Sequence, residues 1–295
     1  MPVRRLTAAI CQGRGSILGS SSELVASPLD RLRAIPRPWR ISFLAAVAAG
    51  AAILLLALPA IRQGPRYYVF PDDRTILGIP YFWNVVSNLP FALVGAAGLA
   101  AMANRPAPLR PAFAALFAGV FLTAFGSAWY HLAPSAGRLL FDRLPMTIAF
   151  AGVFALTLGD RIDVRLAARP WLLALIAVAA GSALSWYATG DLRPYVYVQG
   201  TLLLLVPLLV ALFPGRHLDG TRIAAALALY LVAKVLEKYD DQIYDALGHL
   251  MNGHALKHLA AAWACWQLHR AVAPAGAPAY AASHERPPSL HHLER

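Results

Sequence analysis

Eight apolar stretches follow one another along the chain, at Ile41–Ile61 and at about Tyr81–Met102, Pro111–Leu132, Leu139–Leu158, Pro170–Ala188, Pro194–Phe213, Arg222–Tyr239 and Leu250–Ala273. A membrane-spanning helix needs about 20 predominantly apolar residues, and the breaks between these stretches carry Pro, Gly and charge, which end helices. The pattern predicts an all-α polytopic membrane protein. The last two stretches are not plain lipid-facing helices, because Lys234, Glu237, His254, Lys257 and His258 fall within them.

The flanks read differently. Residues 1–40 hold seven arginines and a Gly/Ser stretch around Gly13–Ser22, which reads as a basic, disordered tail; an Arg- and Ser-rich, acid-poor start also resembles an organelle transit peptide. Residues 274–295, with Pro, Ala and His, read as a second disordered tail in which His291 and His292 are solvated.

Composition agrees with the pattern. The 295 residues are 58% hydrophobic and 14% charged, with a mean hydropathy of +0.53; a soluble globular protein carries about 25% charged residues. Bulk disorder is excluded by the apolar fraction. The two cysteines, Cys11 in the polar tail and Cys265 in an apolar run, exclude a disulfide scaffold. The net charge of +11 comes from 26 basic against 15 acidic residues. It sits between apolar runs rather than in one patch, which argues for loop anchors at a membrane face and against a nucleic-acid partner.

Charge also orients the chain. With the N-terminus cytoplasmic, the inner connections hold seventeen Lys and Arg and the outer ones seven, so both termini are expected in the cytoplasm. Arg-over-Lys and Ala-rich usage fits a GC-rich bacterial genome and a cytoplasmic membrane. His131, Asp142, His254 and His258 then share the outer depth.

Ionisable groups inside a membrane are costly unless they are paired or line a wet cavity, so each is a functional hypothesis. His254 and His258 are four apart on a helix and share one face. That spacing suits two ligands of one metal, or helix packing; the Glu of the soluble H-E-x-x-H proteases is missing. Ser127 and His131 are likewise four apart, and Asp142 follows eleven residues on. A third His would complete the three protein ligands of a catalytic zinc and leave a position for water. Taken singly, Ser127 could bond its own helix backbone and Asp142 could pair with Arg143 or cap its helix. Lys234 and Glu237, three apart, read as an intramembrane pair or, with Asp240 and Asp241, as support for a ligating His.

The sequence Ser-x-x-x-His, an Asp eleven residues later and a distant His-x-x-x-His resembles the alkaline ceramidases within the CREST superfamily, which also holds adiponectin-receptor-like and Per1-type proteins. Phe82-Trp83-Asn84-Val85-Val86-Ser87-Asn88-Leu89 is similar to a phrase of the ceramidase branch. Pro71-Asp72-Asp73-Arg74-Thr75-Ile76-Leu77-Gly78-Ile79-Pro80 is similar to one in bacterial ceramidase-domain proteins. The resemblance covers about residues 66–273 and implies a seven-helix core, with Ile41–Ile61 as an extra N-terminal helix. It further implies zinc on His131, His254 and His258, a catalytic water oriented by Asp142, and Ser127 stabilising the substrate carbonyl. The animal enzymes share a calcium site that includes a glutamate directly before Phe-Trp-Asn; Tyr81 stands there in this chain. A different oxygen-rich calcium site could use Asp72, Asp73, Asn84 and Asn88, against which stands a loop cap with a salt bridge from Asp72 and Asp73 to Arg74.

The expected substrate is a membrane lipid, ceramide or a ceramide-like N-acyl lipid, cleaved at its amide to a fatty acid and a free sphingoid-type amine. The rival reading is an adiponectin-receptor-like regulator with a mainly structural zinc. A transporter or channel would spread its charges through several spans at mid-depth, whereas here they gather at one end. The sequence leaves open the chain length and head group of the lipid, amide against ester cleavage, and the oligomeric state.

Overall fold

Prolines bracket the first long helix. A computed structural model describes residues 27–277, and in it α1 (Pro28–Ala34) leads into α2 (Arg37–Ala57). Pro36 and Pro38 set the start of α2, and Pro59 keeps Leu58 extended, because the residue before proline disfavours helical geometry. The helix therefore lies four residues earlier than the apolar run Ile41–Ile61 suggested. Of the segment 1–40 read as a disordered tail, residues 1–26 lie outside the described residues, but Pro28–Ala34 is folded. The Ser27 hydroxyl accepts from the Asp30 N–H at 3.2 Å while Asp30 accepts from the Ser27 N–H at 3.1 Å, a reciprocal cap. Arg33 then donates to the carbonyls of Ala211 and Val210 at 3.2 and 3.3 Å, and Arg37 to that of Ile162 at 3.0 Å. Arginines that composition assigns to a loose tail thus satisfy the last carbonyls of other helices, where a cation also complements the helix dipole. Residues 278–295 of the C-terminal tail lie outside the described residues.

The second apolar stretch is two helices, α3 (Phe82–Val86) and α4 (Leu89–Ala100), broken at Ser87–Asn88, where Pro90 has no N–H to continue the ladder. There follow α5 (Arg110–Leu132), α6 (Ala136–Arg161), α7 (Arg169–Thr189), α8 (Arg193–Leu212) and α9 (Gly220–Lys238). A short α10 (Asp240–Ala246) separates α9 from α11 (Gly253–Ala271). Among the described residues six spans are long and apolar enough to cross a membrane, counting α3 and α4 as one. The helices α9 and α11 have spanning length but carry the polar residues noted above. The architecture is all-α, with isolated bridges but no strand among the described residues.

Neighbour packing runs from α4 to α5 to α6, from α6 to α7 and α8, and from α9 to α11 and back to α4, with α8 touching α9 only lightly. The added α2 lies against α8 through Leu44, beside Leu205, Leu209 and Phe213. Contact between α5 and α6 is closest, and glycines allow it. A Cβ on Gly119 would lie 2.5 Å from the Ala149 nitrogen, and one on Gly152 would lie 2.4 Å from the Leu116 nitrogen. A core of Leu109, Phe113, Leu116 and Phe117 fills one half of the bundle. The other half holds a smaller cluster of Phe70, Tyr130, Leu139, Trp186 and Tyr195.

At the end of α6 far from His131, Asp160 and Arg161 are buried together, with Arg161 Nε 3.1 Å from Asp160 Oδ2. Arg161 donates to the carbonyls of Phe213 and Leu218, and Asp160 accepts from the N–H groups of Arg216 and His217. This pair fixes the α8–α9 connection, so Arg161 is a structural staple rather than a solvated loop charge.

Candidate metal centre and lipid cavity

Two helices deliver the three imidazoles. His131 ends α5, and His254 and His258 open α11 on one face. All are buried, and one ring nitrogen from each lies within 4.8 Å of the others. The ring centroids are 4.8 Å apart for His131–His254, 5.1 Å for His131–His258 and 5.0 Å for His254–His258. The start of α11 is held by Asn252, whose side chain accepts from the Ala255 N–H at 3.2 Å, and by Asp240, which accepts from the His254 N–H at 2.7 Å.

Each imidazole has a distinct environment. His258 Nδ1 is 2.8 Å from the Ser87 hydroxyl, which in turn reaches the Asn84 carbonyl at 3.4 Å. With Nδ1 protonated, its N–H donates a hydrogen bond to the Ser87 hydroxyl, which in turn donates to the Asn84 carbonyl, leaving Nε2 as a ligand. His254 Nε2 is 2.8 Å from Lys257 Nζ, and Lys257 is 3.2 Å from Glu237, which also pairs with Lys234. The Lys234–Glu237 pair expected from their spacing is therefore formed, and a second lysine joins it. Among the described residues neither nitrogen of His131 has a hydrogen-bond partner, although the residue is fully buried. Burying such groups unpaired costs free energy. Three imidazoles that converge, one with both nitrogens unsatisfied, are a donor set that fits a zinc-type ion.

Ser127 and Asp142 join this end because of Gly126. A Cβ there would lie 2.2 Å from the Phe141 carbonyl oxygen and 3.4 Å from the Asp142 Cα. Pro145, inside α6, cannot donate to that carbonyl, so α5 can press against it. Ser127, buried, and Asp142, half-buried, thereby face one cavity that His258 also lines. Neither is left to the local roles of backbone bonding or helix capping alone.

The cavity has a volume of about 330 Å³ and lies between α4, α5, α6, α8, α9 and α11. Its polar end holds Ser127, Asp142, Arg143, Lys257 and His258; Leu116, Val153, Val206, Ile223 and Leu268 line the rest. From Lys257 to Leu268 the lining covers about 16 Å along α11, roughly half the thickness of a bilayer's hydrocarbon core.

Two contributors carry no signal in the sequence. Phe70, from the connection before α3, stacks its ring edgewise at 4.9 Å from His131 and 4.6 Å from His254. Ser87 stands inside a motif whose spacing says nothing of its partner on α11. Asp240, one of four polar residues considered as support for a ligating His, does so through the backbone of His254. In the proposed calcium set, Asp72 is engaged with Arg74, at 2.7 Å to Nε and 2.8 Å to Nη2, while Asp73 is exposed. Arg74 also donates to the Leu250 carbonyl at 2.8 Å. The salt bridge, from Asp72 alone, is the arrangement adopted.

Comparison with known proteins gives one family. No curated protein matches the chain. The family model described as Ceramidase matches residues 78–273, a range that begins just before α3 and ends just after α11. It contains all three imidazoles with Ser127 and Asp142, so the geometry above and the sequence match meet on the same residues, and the chain belongs to the ceramidase family.

Proposed function

We propose that this ceramidase-family protein is a zinc-dependent intramembrane hydrolase that cleaves the amide of ceramide or a ceramide-like N-acyl lipid to a fatty acid and a sphingoid-type amine. The observation that carries this reading is the convergence of three buried imidazoles, one of which, His258, lines the polar end of a long apolar cavity together with Ser127 and Asp142.

His131, His254 and His258 would hold the zinc. A zinc ion with three protein ligands supplies Lewis acidity, lowering the pKa of a water at its open position to about 7 and polarising a carbonyl oxygen. Asp142 accepts the proton of the attacking water and delivers it to the amide nitrogen as the C–N bond breaks. Ser127 donates its hydroxyl to the carbonyl oxygen as negative charge develops there. The acyl chain occupies the apolar length of the cavity, which keeps the scissile amide at the depth of Ser127 and Asp142. A lipid enters from the bilayer between α8 and α9, the most lightly packed neighbours among the helices that wall the cavity. Both termini are cytoplasmic and the site is near the outer face of a bacterial cytoplasmic membrane. The arginines that bind helix ends away from the imidazoles, Arg33, Arg37 and Arg161, support this orientation.

The test is hydrolysis of labelled ceramide by purified protein, with release of fatty acid followed before and after chelation. Release that requires zinc and returns on re-addition is expected. Turnover that persists after complete metal removal overturns the mechanism. Asp142→Asn separates hydrolase from regulator: the hydrolase keeps zinc and loses turnover, whereas a receptor with a structural metal keeps its signalling.

A further inference from the structure

Arg143 is a buried cation with no ion-pair partner among the described residues. It is 5% exposed, and among the described residues no carboxylate forms an ion pair with it, not even its neighbour Asp142. Its guanidinium carbon lies 3.9 Å from the Trp186 ring centroid, 4.7 Å from that of Tyr195 and 5.6 Å from that of Tyr67. One terminal nitrogen, Nη2, donates to Gln63 at 2.7 Å; the other, Nη1, has no partner. Aromatic faces offset part of the desolvation of a guanidinium, but a buried cation is ordinarily paired with an anion. Arg143, Gln63, Tyr67 and Tyr195 all line the cavity at the depth of Ser127 and Asp142.

Placement says which part of a lipid would meet this cation. With the acyl chain in the apolar length and the amide at Ser127 and Asp142, whatever is attached to the amide nitrogen must lie beside this polar wall. We propose that Arg143 forms, with Gln63, Tyr67 and Tyr195, a subsite for an anionic group on the amine side of the substrate. The preferred substrates are then N-acyl lipids that carry a carboxylate or phosphate close to the amide. The guanidinium supplies the planar, permanently charged donor that such oxyanions take. This rests on the amidase reading and narrows its substrate class.

The experiment uses the full-length, zinc-loaded protein in detergent micelles and two substrate pairs. N-palmitoylglycine and N-palmitoylethanolamine share chain and amide and differ in a carboxylate; ceramide 1-phosphate and ceramide differ in a phosphate. The expected result is a higher kcat/KM for the anionic member of at least one pair, set by KM, and the pair that shows it identifies the anion. In Arg143→Met the ratio of anionic to neutral kcat/KM should fall roughly thirtyfold or more, with part of it returning in Arg143→Lys. A residue that only packs the bundle would slow both members together and leave the ratio unchanged, which overturns the proposal. So does a wild-type protein with no anionic preference, a result that needs no variant to fold. If no N-acyl lipid is cleaved, the hydrolase reading falls and calorimetric binding of the glycine and ethanolamine amides to the same proteins decides the subsite. A carboxylate preference lost in Arg143→Met upholds it, and equal affinities reject it.

Discussion

The Ser87 hydroxyl lies 2.8 Å from Nδ1 of His258. The contact joins the break between α3 and α4 to the second turn of α11, and it fixes which nitrogen of His258 is free to bind a metal. Ser87→Ala removes a partner that orients the ligand, and such changes weaken metal affinity by about 10- to 100-fold. Zinc affinity measured by chelator competition should fall by that amount, with the fold preserved. An unchanged affinity would show that the hydroxyl does not tune the site.

Gly126 is a second point of leverage. A methyl there would meet the Phe141 carbonyl oxygen at 2.2 Å, a backbone atom that cannot swing aside. Gly126→Ala should push α5 from α6, destabilise the protein by about 1–3 kcal/mol, and separate Ser127 from Asp142. A lowered Tm together with a fall in turnover that exceeds any loss of zinc is the expected outcome.

Asp142 and Ser127 should separate proton transfer from charge stabilisation. Asp142→Asn keeps the shape and loses the base, so kcat should fall by about 10²- to 10⁴-fold with zinc content unchanged. Ser127→Ala removes one donor to the developing oxyanion, for which about 10²- to 10³-fold is expected. Zinc analysis beside steady-state kinetics checks both.

Metal removal should also register without any substrate. An ion that binds the folded state alone stabilises it, by about 2.7 kcal/mol at a concentration 100 times Kd. Chelation should therefore lower the Tm of the wild type. His131→Ala should abolish that difference, since the cluster then loses one of its three imidazoles.

A control lies at the far end of the bundle. Asp160 accepts from the N–H groups of Arg216 and His217 and pairs with buried Arg161. Asp160→Ala leaves that guanidinium without its anion, a change that costs about 3–5 kcal/mol. Stability should drop sharply while the zinc affinity of whatever folds stays at the wild-type value.

Much of this was legible along the chain. Hydropathy located the eight apolar stretches, because burying backbone in lipid demands continuous helix. The i, i+4 spacings put Ser127 with His131 and His254 with His258, because a helix repeats every 3.6 residues. Helix ends were less legible. Pro28–Ala34 carries a local cap at Ser27 and Asp30, but its docking on the carbonyls of α8 is a contact that no local pattern reveals, and the first span shifted because prolines, not hydropathy, set its limits.

Sequence alone therefore determined an all-α architecture with long apolar helices, the i, i+4 pairs Ser127–His131 and His254–His258, and a likeness to ceramidases. Those are local properties, written in composition and in helical period. Tertiary structure decided which ring nitrogens face one another, that Ser87 and Phe70 belong to the site, and that Arg143 is buried among aromatic rings with no carboxylate paired to it among the described residues. Each of these is a contact between residues distant in the chain, fixed by how closely the helices pack, and helical period carries no record of that distance.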